Sequence, residues 1–328
     1  MDFRTVIKID PARVKISYTD PVMFIGSCFS ASIGKKFEAG HMPVMINPSG
    51  TVYNPVSVCN TLETITSGKE YKITDLHNYK GSWLSFNHYT DFSSEDPDEV
   101  LYKINTEAAK AADFLSKASY LFVTFGTARV FIRKESGKIV SNCHKIPASE
   151  FTHKLLTVVE VVQLWKEQLV KLSSLFPRLK VVFTVSPVRH WKDGAHGNQV
   201  SKAVLLLATE ELLGQNTDTG YFPSYEILMD DLRDYRYYDN DMLHPSQAAS
   251  DYVWEMFTGC YFDEKTKKLW NEVAAVTRAA DHIIKTGSAS AIKDFARAML
   301  DKIEMLEKKE HSLRLSGEKE YFNRLLSF

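Results

Sequence analysis

The chain is 328 residues long, 44% hydrophobic and 25% charged, which is the balance of an ordinary globular protein with length enough for a sizeable core. Its 40 Lys and Arg against 41 Asp and Glu leave a formal net charge of -1, so no global field gathers nucleic acid or an anionic membrane. Met1-Asp2-Phe3-Arg4-Thr5 lacks the charged-then-apolar run of a secretory signal, and no window reaches the roughly 18 apolar residues of a membrane span, so the expected location is cytoplasmic.

In chain order, Val22-Met23-Phe24-Ile25 reads as a short buried strand, followed at once by Gly26-Ser27-Cys28-Phe29-Ser30 and a helical stretch through Phe37. Met42 to Ile46 is a second apolar run, closing in Asn47-Pro48-Ser49-Gly50 and Tyr53-Asn54-Pro55, a density of Asn, Pro and Gly that marks a shaped loop. Residues 60–100 are polar and aromatic without a clean period and read as an irregular excursion able to line a cleft. Asn105 is expected to cap a helix that feeds a strand over Tyr120 to Phe125.

Val130-Phe131-Ile132 and Lys138-Ile139-Val140 flank Glu135-Ser136-Gly137, a hairpin signal. Thr157 to Glu160 has the form of a capping box and precedes Val161, Leu164, Trp165, Leu169, Leu172 and Phe176 at helical spacing. Val181 to Val185 predicts a further buried strand stopped by Ser186-Pro187, then come a helix from about Gln199 to Leu213, a strand near Tyr225 to Leu228, and a helix opened by Pro245 through Phe257. This alternation predicts a mostly parallel sheet covered on both faces. Behind it, Leu269, Val273, Val276 and Ile283 form one amphipathic stripe, and Ile292, Phe295, Met299, Ile303 and Leu306 another, parted by Gly287 to Ser290. The expected organisation is an α/β domain over 1–261 and a helical extension over 262–328, the latter packing on the core or making a homodimer contact.

In an open parallel sheet, ligands bind in the crevice beyond the carboxyl ends of the strands. Gly26-Ser27-Cys28, Gly50, Gly126-Thr127, Ser186 to His190 and Asp241 to His244 all follow expected strands and should converge on that edge. An imidazole beside a carboxylate, as in Asp241-Met242-Leu243-His244, needs only a nucleophile and an oxyanion pocket to become an acyl-transfer centre. Cys28, Cys59, Cys143 and Cys260 form no CxxC pair, so neither a zinc knuckle nor a dithiol motif is indicated.

Phe24-Ile25-Gly26-Ser27-Cys28-Phe29-Ser30 resembles the signature after which the GSCFA family is named, with Ser30 in place of its alanine. Asn47 to Gly50, Tyr53 to Pro55, Asn142 to Lys145, Ser186 to His190, Ser201-Lys202 and Asp241 to Ser246 are similar to further family segments, over about residues 20–258. That family resembles a branch of the SGNH/GDSL hydrolases. The resemblance implies a flavodoxin-like three-layer fold, ester-bond chemistry, a nucleophile after the first strand and Asp-x-x-His before the last helix.

Aligning the glycines of Gly-Asp-Ser and Gly26 sets Cys28 on the nucleophile. Ser27 remains the alternative, with a one-residue shift of the elbow. At a helix start and near a histidine, the Cys28 thiol is expected to have a lowered pKa. The third superfamily block, Gly-x-Asn-Asp, reads Gly126-Thr127-Ala128-Arg129 here, so its oxyanion Asn is absent. Asn142 and Asn47 are the side-chain candidates for that role, and the N–H groups of Cys28 and Gly50 the backbone ones. His144, Arg189 and His190 are candidate substrate contacts, Arg189 because a guanidinium holds a carboxylate or phosphate in a fork.

Adjacent residues of an extended segment face opposite ways, so Cys143 and His144 should not share a site. Lys202 is expected to orient or cap rather than react. The reading that follows is an ester hydrolase or O-acyltransferase acting on a small-molecule or carbohydrate ester, without cofactor or metal. Its rivals are a binding or scaffold protein on the same fold and a metal hydrolase using His190, His196 and Asp241.

Overall fold

The computed structural model describes residues 5–213, 218–281 and 288–327; Met1 to Arg4, Ile283 of the first tail stripe and Gly287 lie outside them. In chain order the elements are β1 (Val22–Gly26), α1 (Cys28–Ala39), β2 (Val44–Ile46), α2 (Pro55–Ser67), β3 (His77–Tyr79), β4 (Ser82–Leu84), α3 (Pro97–Lys117), β5 (Tyr120–Phe125), β6 (Arg129–Arg133), β7 (Ile139–Val140) and β8 (Phe151–Leu155). They continue with α4 (Val158–Leu175), β9 (Lys180–Val185), α5 (Gly194–Leu213), β10 (Thr219–Tyr221), α6 (Ser224–Glu226), α7 (Gln247–Tyr261), α8 (Glu264–Asp281), α9 (Ala289–Lys309) and α10 (Ser316–Leu326). Among the described residues no helix is long and apolar enough to cross a membrane.

The chain divides into two compact units, and the larger comprises residues 1–9, 21–34 and 45–256. Its central sheet has the order β10-β9-β5-β1-β2. Parallel pairing sets Phe24 against Phe122, Phe122 against Val182, and Phe183 against Tyr221. Counting only the strands of this sheet, the order is 2-1-3-4-5, the flavodoxin-like arrangement, whose switch point lies between β1 and β5. The loops that leave those two strands therefore diverge and open the crevice.

Strand periodicity sorts the sheet residues into two faces. Met23, Ile25, Leu121, Val123, Phe125, Val181, Phe183 and Val185 pack into one core with Leu62 of α2, Leu115 of α3, Trp165 of α4 and Leu205 of α5. Phe125 meets the Trp165 ring edge-on at 5.2 Å. On the other face Phe24 stacks on Phe122 at 4.9 Å, and Ser30 of α1 bonds Thr124 at 2.6 Å. Both faces are buried, which is why these strands read as continuous apolar runs rather than alternating ones.

The hairpin expected around Gly137 is the β6–β7 pair, extended by β8 into a small antiparallel sheet. The capping box is present, with Thr157 accepting from the Glu160 N–H and Glu160 reaching back to the Thr157 N–H. Two expectations are corrected. Asn105 caps nothing: α3 begins at Pro97 with Asp96 as its cap, and Asn105 sits mid-helix, where its amide bonds both backbone groups of Tyr71. The last strand is not Tyr225 to Leu228 but Thr219–Tyr221. Pro223 turns the chain into α6, followed by a π turn over Ile227–Asp231. A short apolar run buried beside a sheet carries no period that separates helix from strand.

The smaller unit comprises residues 10–20, 35–44 and 257–328. Within it Ile16 donates to Tyr261 O at 2.8 Å, the Trp270 indole donates to Lys36 O at 2.7 Å, and Phe37 meets Phe262 edge-on at 5.6 Å. Phe295 of α9 packs against Phe322 of α10, and Lys309 pairs with Glu272 of α8 at 2.8 Å.

Candidate functional site

The site begins where β1 stops. Gly26 has φ +144°, and a Cβ there would stand 2.1 Å from Thr124 O, so only glycine can turn this corner. The corner is fixed from three sides: Gly26 N donates to the Asn47 side-chain oxygen at 2.8 Å, Val52 N to Gly26 O at 3.1 Å, and Ser27 N to Thr124 O at 3.2 Å. α1 then starts at Cys28, so the first backbone N–H groups of a helix have no carbonyl in their own helix to bond. Those of Cys28 and Phe29 face the Cys28 sulfur.

Above this corner is a cavity of about 500 Å³ lined by Ser27, Cys28, Tyr53, Asn54, Tyr89, Thr127, Arg129, Asn142, Cys143, Arg189, His190 and His244, among others. It gathers loops that follow β1, β5, β7 and β9 together with the turn before α7. Cys28 is half-buried and free, whereas Ser27 is only 1% exposed and its hydroxyl is buried without a hydrogen-bond partner among the described residues.

His244 stands on the wall of this cavity with Asp241 behind it. The Nδ1 of His244 bonds Asp241 Oδ2 at 2.6 Å, and Asp241 Oδ1 accepts from the Leu243 and His244 N–H groups at 2.8 and 2.9 Å. These bonds, the His244 N–H foremost, hold the Asp241 carboxyl down at about pKa 2. With Nδ1 donating to the carboxylate, Nε2 is the free acceptor of the ring.

The Cys28 thiol is pushed up, not down. Burial dominates, and the N–H groups of Phe29 and Cys28 and the Lys202 ammonium only partly oppose it. Desolvation therefore outweighs the helix start on which the lowered-pKa expectation rested.

Beneath the cavity Lys202 is buried, and its ammonium donates to Gly126 O at 2.7 Å and Ser186 O at 2.6 Å. It ties together the loops leaving β5 and β9, as its orienting role anticipates. Burial lowers it to about pKa 7. Its neighbour Ser201 accepts from Ala128 N at 2.8 Å. His190 is held neutral, at about pKa 4, by burial and then by Lys202; its ring meets Tyr53 edge-on at 5.5 Å.

Three of the candidate oxyanion and substrate-contact residues are not at the cavity. Asn47 is the clamp on Gly26, with φ +45°. Gly50, at φ +77°, already donates its N–H to Asn47 O at 2.7 Å, so that N–H is not open to a ligand. His144 turns away from the cavity and bonds Ser85 O at 2.9 Å, while its neighbour Cys143 lines the cavity; the two do not share a site, though the cause is a turn with His144 at φ +49° rather than an extended segment. Asn142 lines the cavity, but its amide is committed at both ends, donating to Thr90 and accepting from His144 N.

The side chain that sequence reading passed over is Asn54. Its oxygen caps α2 by accepting from Ser57 N at 2.9 Å, and its NH₂ has no protein partner among the described residues. Tyr53-Asn54-Pro55 signals the cap, but the spare amide at the cavity has no signature. Among the described residues no three His, Cys, Asp or Glu side chains gather as metal ligands, so His190, His196 and Asp241 do not form such a set.

The model of the GSCFA family matches residues 21–257. No curated protein matches the chain. Solved structures similar to it include a putative platelet activating factor from Streptococcus pneumonia, at 14% identity over 74% of this chain and 86% of that one, with a TM-score of 0.36. A carbohydrate esterase family 3 protein from Talaromyces cellulolyticus is 6% identical over 77% and 99%, with a TM-score of 0.36. An acetyl xylan esterase from the rumen bacterium Butyrivibrio proteoclasticus is 11% identical over 77% and 65%, with a TM-score of 0.37.

Proposed function

The chain belongs to the GSCFA family, and we propose that it is an acyl-ester hydrolase or O-acyltransferase of SGNH type in which Cys28 is the nucleophile. The observation that carries this reading is the presence of Cys28 and the carboxylate-oriented His244 in the lining of one cavity.

The chemistry proceeds in two halves. Because burial keeps Cys28 protonated at rest, His244 Nε2 takes the thiol proton as sulfur bonds to the ester carbonyl carbon. The oxyanion is met by the N–H groups at the start of α1 and by the Asn54 amide, in place of the missing block-three Asn. Collapse breaks the carbonyl C–O bond, and the departing alkoxide takes the proton from His244, leaving a thioester on Cys28. Water, or a sugar hydroxyl, then gives its proton to His244 and attacks the thioester; the released thiolate regains that proton. Asp241 holds the imidazole tautomer and balances its transient charge. Water gives a hydrolase and a sugar hydroxyl a transferase.

Brief incubation with p-nitrophenyl acetate, an acid quench and peptide mass mapping test the reading. An acetyl group is expected on Cys28, with none after Cys28→Ala. Acetyl on Ser27 would move the nucleophile by one residue. Neither adduct nor nitrophenol release from the folded protein would leave the binding-protein reading.

A further inference from the structure

We propose that the substrate is an ester carrying a free carboxylate, received by Arg189 at the entrance to a second cavity on the far side of the Asp241–His244 turn. The proposal rests on the reading of Cys28, His244 and Asp241 as the reaction centre. Arg189 lines both the 500 Å³ cavity and a neighbouring one of about 630 Å³. The turn divides its residues between them: His244 faces the first, and Asp241, Met242 and Leu243 face the second. A ligand whose carbonyl lies at Cys28 thus reaches the second cavity by passing Arg189.

The second cavity is apolar apart from its charged groups, with Leu228, Met229, Leu232 and Tyr238 on its walls. Its other charged groups are matched: Asp241 with His244 at 2.6 Å, Asp234 with Arg236 at 3.2 Å and Arg233 with Asp230 at 2.7 Å. Arg189 makes no ion pair among the described residues, and its guanidinium donates only to the Met229 sulfur at 3.3 Å. A thioether is a weak acceptor, so most of the five-donor fork is unspent. The charge belongs to the same positive field that reaches Lys202 and Tyr225. A carboxylate answers the fork with two parallel bonds and a single negative charge. A phosphate dianion would call for a second unmatched cation in the second cavity, and Arg233, the other cation lining it, is already paired with Asp230.

Two pairs of aryl esters test this, one with the charge in the acyl part (mono-p-nitrophenyl succinate against p-nitrophenyl butyrate) and one with it in the alcohol part (4-acetoxybenzoate against its methyl ester). In one pair the wild-type kcat/KM is expected to favour the charged ester by about tenfold or more, and Arg189→Gln to bring that ratio near one through KM, with Arg189→Lys intermediate. Equal rates in both pairs, or a preference that survives Arg189→Gln, overturn the proposal while leaving the esterase reading intact. If no ester turns over, the esterase reading fails and calorimetric binding of the amide analogue 4-acetamidobenzoate decides the second question. Binding that Arg189→Gln abolishes supports the carboxylate site, and no binding by the wild type ends it.

Discussion

The two halves of the site are built in opposite ways. The corner at Gly26 and Ser27 is held by residues far along the chain, with Asn47, Val52 and Thr124 each contributing a bond, and Ser27 is 1% exposed. The turn carrying Asp241 and His244 is held by its own neighbours: Asp239 N to His244 O, Met242 N to Asp239 O and the Asp241 carboxylate to Leu243 and His244. Its two working side chains are 47% and 49% exposed. The difference teaches that the nucleophile's position is a property of the whole sheet, whereas the base's is a property of six residues. Damage to the first should reach the fold, and damage to the second only the chemistry.

The largest effect expected is from Gly26→Ala. A Cβ 2.1 Å from Thr124 O at φ +144° forces the corner open, with a loss of about 3 kcal/mol or more in urea unfolding, and activity lost with it. Next, His244→Ala is expected to lower ester kcat/KM by about 10²–10⁴-fold, and Asp241→Asn by a smaller factor, with the thermal midpoint within a degree or two of wild type. A large fall in the midpoint would erase the contrast between the halves.

Acid separates the halves more gently. His190 is held at about pKa 4 in the folded cavity wall, against about 6.5 in an unfolded chain. Its contribution is complete above pH 6.5 and is lost as pH falls from there toward 4, up to a few kcal/mol at about 1.4 kcal/mol per unit. His190→Gln should flatten that part of the stability–pH curve. The smallest effect is the pH dependence of Cys28 alkylation by iodoacetamide. With the thiol raised by burial, labelling should be slower at pH 7 than for an open cysteine, with a midpoint above about 8.5. A midpoint below that value would mean the corner is more open to water than its burial implies.

What could be read from sequence follows the same division. β1, β5 and β9 were legible because a strand buried on both faces is an apolar run bounded by Gly or Ser-Pro, and the Thr157 cap because its partner is three residues away. The gathering of Cys28, Arg189 and His190 follows from the rule that loops beyond the carboxyl ends of parallel strands converge, whereas His244 reaches the same cavity without the strand expected before it. The use of Asn105 and Asn47 was not legible, since each depends on a partner fixed by tertiary structure, Tyr71 and Gly26, and Gly50 spends its N–H on Asn47 O in a turn of its own. Asn54 was hidden because one atom of its amide does legible work in the cap and the other does not. The thiol's upward shift was hidden because burial depth is not written in spacing.

The Lys202 tie beneath the cavity has two partners, Gly126 O and Ser186 O. An ammonium has three protons, so one can leave without undoing either bond. At about pKa 7 this fastener keeps its grip whether or not it is charged. The loops leaving β5 and β9 therefore stay in register across neutral pH, while the potential under Cys28 follows the solution outside.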